Sequence, residues 1–97
     1  MKKIVVLISG YGANLQAIID ACQSRYINAE IVGVFSNQSD AFGLQRAQSA
    51  GIFHRIFLRR DYADNLDMDR HIGDEIDNLG ADLIVLAGYM KILTAEF

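Results

Sequence analysis

The chain has 97 residues, 52% hydrophobic and 22% charged, an ordinary balance for one small globular domain or part of a larger one. A formal charge of −3 argues against non-specific nucleic-acid binding, which needs a basic face, and no apolar run reaches the roughly 18 residues of a membrane span. The single cysteine, Cys22, excludes an internal disulfide and fits a reducing cytoplasm, where the chain is expected to reside.

The first strand is expected over Lys3 to Ser9, where Ile4, Val5, Val6, Leu7 and Ile8 form a continuous, mostly β-branched apolar run. That run follows Met1-Lys2-Lys3 but ends in Ser-Gly-Tyr-Gly, so it reads as a strand rather than a signal segment. A helix follows the two glycines, with Leu15, Ile18, Ile19 and Cys22 at i, i+3, i+4 and i+7 on one apolar stripe, where Cys22 serves as a small core residue. The second strand is expected over Glu30 to Phe35, ending in Ser36-Asn37. The second helix runs from about Ala41, capped by Ser39 or Asp40, to a stop at Gly51. The third strand spans His54 to Leu58. A polar stretch, Arg59 to Asp67, leads to a third helix in which Met68, Ile72, Ile76 and Leu79 share a face and Gly80 marks the end. Asp67, Asp69, Asp74, Glu75 and Asp77 read as the solvated face of that helix, with no metal-like set of partners. The fourth strand, Leu83 to Ala87, is apolar throughout, as a strand covered on both faces should be.

This alternation predicts an α/β fold: a Rossmann-like parallel sheet of four strands in the order 3-2-1-4, with three helices on right-handed crossovers. In that order the connections of the first strand leave in opposite directions, which opens a crevice at its carboxyl end. Two loops are expected to meet there, Gly10 to Asn14 and Gly88 to Leu93.

The turn Gly10-Tyr11-Gly12 at the mouth of a helix supplies free main-chain N–H groups, the ingredients of an anion site. The same residues also satisfy a tight turn with no ligand. A dinucleotide site asks for a third glycine where Leu15 stands, and for an acid where the second strand ends in Ser36-Asn37, so both tests fail. No G-x-x-x-x-G-K-S/T loop occurs either. What remains is a monophosphate on the N–H groups near Gly12, Ala13 and Asn14. Each charge-assisted bond would contribute about 1.5–3 kcal/mol, and the helix dipole about 0.3–1 kcal/mol.

Ile4 to Ile19, IVVLISGYGANLQAII, closely resembles the opening of the phosphoribosylglycinamide formyltransferase family. The likeness continues through Val34-Phe35-Ser36-Asn37, Asp40-Ala41-Phe42-Gly43-Leu44, and Leu86-Ala87-Gly88-Tyr89-Met90-Lys91-Ile92-Leu93, in order and along essentially the whole chain. The resemblance implies transfer of a formyl group from the co-substrate 10-formyltetrahydrofolate to the amine of glycinamide ribonucleotide, in purine synthesis. It implies small-molecule substrates, with no metal, nucleic acid or membrane. It puts the ribonucleotide's phosphate on Gly12, Ala13 and Asn14, and the folate pterin against Met90, Lys91, Ile92 and Leu93.

Three positions depart from the family. Ala13 stands where Ser is usual, and Lys91 where many members have Arg; both changes suit main-chain contacts. Asn65 stands where relatives often carry an Arg that reaches the folate's glutamate tail, with Arg59 or Arg60 as a substitute cation. The family's catalytic Asn and His belong to an Asn-x-His-Pro-Ser motif that follows the Met-Lys-Ile-Leu loop, and a catalytic Asp comes later still. Residues 1–97 are therefore expected to be the incomplete N-terminal part of a formyltransferase domain, with its catalytic residues beyond Phe97. Neither His54, opening a strand at the amino end of the sheet, nor His71, on the third helix, suits that role. Two other readings remain open: another folate-dependent enzyme, such as a deformylase or methionyl-tRNA formyltransferase, or a non-catalytic nucleotide-binding module.

Overall fold

A computed structural model of the chain describes residues 2–9, 13–39 and 41–87. Strands β1 (Lys2–Ile8), β2 (Ala29–Ser36), β3 (His54–Ile56) and β4 (Leu83–Leu86) alternate with helices α1 (Ala13–Gln23), α2 (Phe42–Ser49) and α3 (Asn65–Asn78). A single 3-10 turn, Arg59–Asp61, precedes α3. The sheet is parallel in the order β3-β2-β1-β4, the arrangement read from the sequence.

The unbroken apolar run of β1 follows from its place inside the sheet, where alternate side chains serve opposite faces. Ile4, Val6 and Ile8 pack with Leu15, Ile19, Leu44 and Ala47 on the side of α1 and α2. Val5 and Leu7 pack with Phe35, Phe57, Met68, Ile72 and Ile76 on the side of α3. The result is three layers, with β1 sealed between them. Phe35 is the hub of the α3 side, edge-on to Phe57 at 5.2 Å and to Phe53 at 6.4 Å. Gly33 lets α3 lie close to β2, since a Cβ there would stand 2.9 Å from Leu79 Cδ1.

Both α2 and α3 end in the same hydrogen-bonded reversal. Ile52 N–H donates to Ala47 O and Gly51 N–H to Gln48 O; Ala81 N–H donates to Ile76 O and Gly80 N–H to Asp77 O. This reversal needs a left-handed residue, and Gly51 and Gly80 supply it with φ of +71° and +69°. An added Cβ at Gly51 would meet nothing within 4 Å, so Gly51→Ala is expected to cost only the left-handed penalty. That is about 1–2 kcal/mol, measurable as a lower urea midpoint with an unchanged m-value.

Four expectations are corrected. The cap position of α2 is Ala41, whose methyl cannot accept a hydrogen bond, rather than Ser39 or Asp40; Asp40 lies outside the described residues. β3 stops at Ile56 instead of Leu58: Phe57 still donates its N–H to Ser36 O at 2.8 Å, but its ring is buried and the chain then passes into the 3-10 turn at Arg59. β4 is the edge strand of the described sheet, as the order 3-2-1-4 predicts, but Leu83, Ile84 and Leu86 are 54%, 40% and 53% exposed rather than covered on both faces. On α3, Asp69 is 1% exposed and belongs to the buried stripe with Met68, Ile72 and Ile76. Asp74 and Asp77 do face solvent, while half-buried Glu75 pairs with Arg55 at 3.3 Å.

Candidate functional site

The carboxyl ends of β1 and β2 lie side by side, with Ile8 in register with Ser36. One residue further on, the Ser9 hydroxyl donates to Asn37 Oδ1 at 2.7 Å and ties the two strand ends together. Ser36 fixes the backbone beyond, its Oγ donating to Gln38 O at 3.1 Å and accepting from Gln38 N–H at 3.0 Å. α1 opens immediately after, at Ala13. Asn14 is exposed in its first turn, where main-chain N–H groups have no partner within the helix.

The amino ends of α1 and α3 differ electrostatically. The first turn of α1 contains no acidic residue. At α3, the Asp64 carboxylate accepts from Asp67 N–H at 2.8 Å, and Asp67 Oδ2 accepts from Ala63 N–H at 3.0 Å. Two carboxylates therefore satisfy the positive end of α3, whereas the first turn of α1 has no such charge to offset its dipole.

Of the residues singled out from the sequence, Asn14 stands in the first turn of α1 and Ala13 begins that helix. Asn65 is the exposed first residue of α3, which also starts on the carboxyl side of the sheet, as helices of parallel crossovers do. Gly12 and Met90, Lys91, Ile92 and Leu93 lie outside the described residues. Ala87, the last described residue, is buried and donates its N–H to Leu7 O at 2.9 Å, beside the end of β1.

The cations near Asn65 divide by role. Arg59 is committed to the loop, donating to Tyr62 O at 2.9 Å and Ala63 O at 3.4 Å. Arg60 is exposed and makes no hydrogen bond or ion pair with a described residue.

Both histidines have structural surroundings. His54 Nδ1 lies 3.3 Å from Ile52 O at the start of β3, and His71 Nδ1 lies 2.8 Å from Asp67 O with its ring 5.0 Å from Tyr62. Cys22 is partly buried against the α1 core, and burial raises its thiol above the usual pKa, which makes it a poorer nucleophile. It lines a groove of about 300 Å³ with Arg25, Glu30 and Ile52, at the amino end of β2 and thus across the sheet from the crevice. Among the described residues no group of three or more His, Cys, Asp or Glu could hold a metal ion, and no helix is long and apolar enough to cross a membrane. The Ser9–Asn37 bond was not foreseen from the sequence. Its only trace there is a hydroxyl residue and an amide residue just past two neighbouring strand ends.

Known proteins repeat both the sequence and this architecture. The formyl transferase family model matches residues 2–97. The chain is 60% identical over 97 residues to phosphoribosylglycinamide formyltransferase of Haemophilus influenzae, covering 100% of this chain and 46% of that protein. It is 49% identical over 94 residues to the Escherichia coli protein of the same name, covering 97% of this chain and 44% of that one. The crystal structure of glycinamide ribonucleotide transformylase 1 from Symbiobacterium toebii superposes with a TM-score of 0.96 at 38% identity, over 98% of this chain and 45% of that one. The chain thus spans about half the length of the relatives it matches. With a match running from residue 2 to residue 97, it belongs to the formyl transferase family.

Proposed function

We propose that this chain forms the phosphate- and folate-facing part of a phosphoribosylglycinamide formyltransferase. In this reading it holds glycinamide ribonucleotide while a formyl group passes to the ribonucleotide's amine from 10-formyltetrahydrofolate, bound as co-substrate, in the cytoplasm. The observation that carries the proposal is the amino end of α1, set beside the tied ends of β1 and β2 with no acidic residue in its first turn. A phosphate monoester supplies the charge that this turn lacks. Main-chain N–H groups of Gly12, Ala13 and Asn14 hold that phosphate; Met90, Lys91, Ile92 and Leu93 meet the pterin, and Asn65 faces the folate's tail.

Formyl transfer also needs a group to take the attacking amine's proton and donors for the tetrahedral oxyanion. The 97 residues contain no proline, hence no Asn-x-His-Pro-Ser motif, and both histidines are engaged structurally. Binding without turnover is therefore the expected behaviour. Calorimetric titration of the purified chain with glycinamide ribonucleotide should give a dissociation constant in about the millimolar-to-micromolar range. A formyl-transfer assay on the same sample should read zero. Absence of ribonucleotide binding overturns the phosphate reading, and measurable turnover overturns the division of labour.

A further inference from the structure

We propose that Asn37 is a sugar-recognising residue, its side-chain Nδ2 donating to a hydroxyl of the sugar whose phosphate sits at the amino end of α1. The inference rests on the phosphate reading above and adds to it a named side-chain contact.

Three features support it. First, the amide is oriented. Ser9 is 7% exposed, and its hydroxyl occupies Asn37 Oδ1 at 2.7 Å. Nδ2 is then the arm of the amide not bonded to Ser9, and it makes no hydrogen bond with another described residue. Second, the amide is held in place. Asn37 is half-buried, and Ser36 bonds both the N–H and the carbonyl of Gln38, so a ligand meets a donor whose ordering cost is already met by the fold. Third, the position suits a sugar. Ser9 and Asn37 directly follow the paired residues Ile8 and Ser36, on neighbouring strands, and α1 opens four residues after Ser9.

Dinucleotide-binding folds place an acid at this strand end to accept from ribose hydroxyls. A neutral amide at the same strand end meets a sugar hydroxyl as a donor instead of an acceptor.

The test is an NMR titration of the 97-residue chain with inorganic phosphate and, separately, with ribose 5-phosphate. The sugar phosphate is expected to bind about fivefold more tightly, the increment of one neutral hydrogen bond. The Asn37 side-chain amide resonances are expected to shift with ribose 5-phosphate and not with inorganic phosphate. In Asn37→Ala the preference should fall to about one. Asn37→Asp keeps the acceptor for Ser9 and guards against a folding defect; it should weaken both ligands. Equal affinities in the unaltered chain, unmoved Asn37 amide resonances, or a preference that survives in Asn37→Ala each overturn the sugar contact. If the unaltered chain binds neither probe, the phosphate reading fails and this inference fails with it.

Discussion

Phe35→Ala is expected to remove about 3–5 kcal/mol of stability, the usual cost of deleting a buried phenyl ring. Small domains have about 5–15 kcal/mol in total, so this one substitution should bring the chain close to unfolding. Phe35 is 1% exposed, and its ring joins β2 to the Phe57 turn and to the layer of Met68, Ile72 and Ile76 on α3. The space left would lie between strand and helix, where neighbours held by the sheet cannot collapse inward. Phe53 provides the control. It touches the same ring at 6.4 Å but is 47% exposed, so Phe53→Ala should cost less than about 1.5 kcal/mol. Urea denaturation followed by circular dichroism separates the two. A loss below about 1 kcal/mol for Phe35→Ala would show that the α3 layer is not a tightly packed core.

The dependence on Phe35 also shows what the sequence could and could not reveal. The sheet order and the three layers were legible because β1 is apolar at every position from Ile4 to Ile8 while α1 and α3 carry one stripe each, and few arrangements cover both faces of such a strand. β4 is as apolar as the Ile4-to-Ile8 run of β1, yet its Leu83, Ile84 and Leu86 stand exposed at the edge of the described sheet. Hydropathy reports what a segment can bury, and coverage depends on neighbours the segment does not encode. Asp69 misled for a related reason. A charge on an acidic helix suggests solvent, but its spacing of three and seven residues from Ile72 and Ile76 places it on the buried stripe. β3 ended two residues early, just ahead of the buried Phe57 ring, a long-range contact that the local pattern does not encode. At the site, Asn14 was visible as part of a pattern, while the glycine turn ahead of it lies outside the described residues. The Ser9–Asn37 bond joins residues 28 apart and became visible only once β1 and β2 lay side by side.

Asn14→Asp is expected to raise the stability of the chain while abolishing most of its affinity for phosphate. An acid in the first turn of a helix is favourable by about 0.3–1 kcal/mol, and α1 has none there. The substitution keeps the shape of the side chain and leaves every main-chain N–H in place. A folding assay should therefore show a small gain. Phosphate binding should move the other way, because the new carboxylate lies within the same turn as the proposed anion. Even in a largely aqueous setting, such repulsion reaches about 1.4 kcal/mol or more, a tenfold loss or greater. Asn14→Ala removes the side chain without adding charge and should bind inorganic phosphate nearly as well as the unaltered chain, since the proposed contact is through the backbone. The opposite signs make the experiment decisive. A variant that misfolds loses both properties, and a phosphate bound elsewhere leaves affinity untouched while stability still rises. Only an anion seated on the first turn of α1 makes the same added charge help folding and oppose binding.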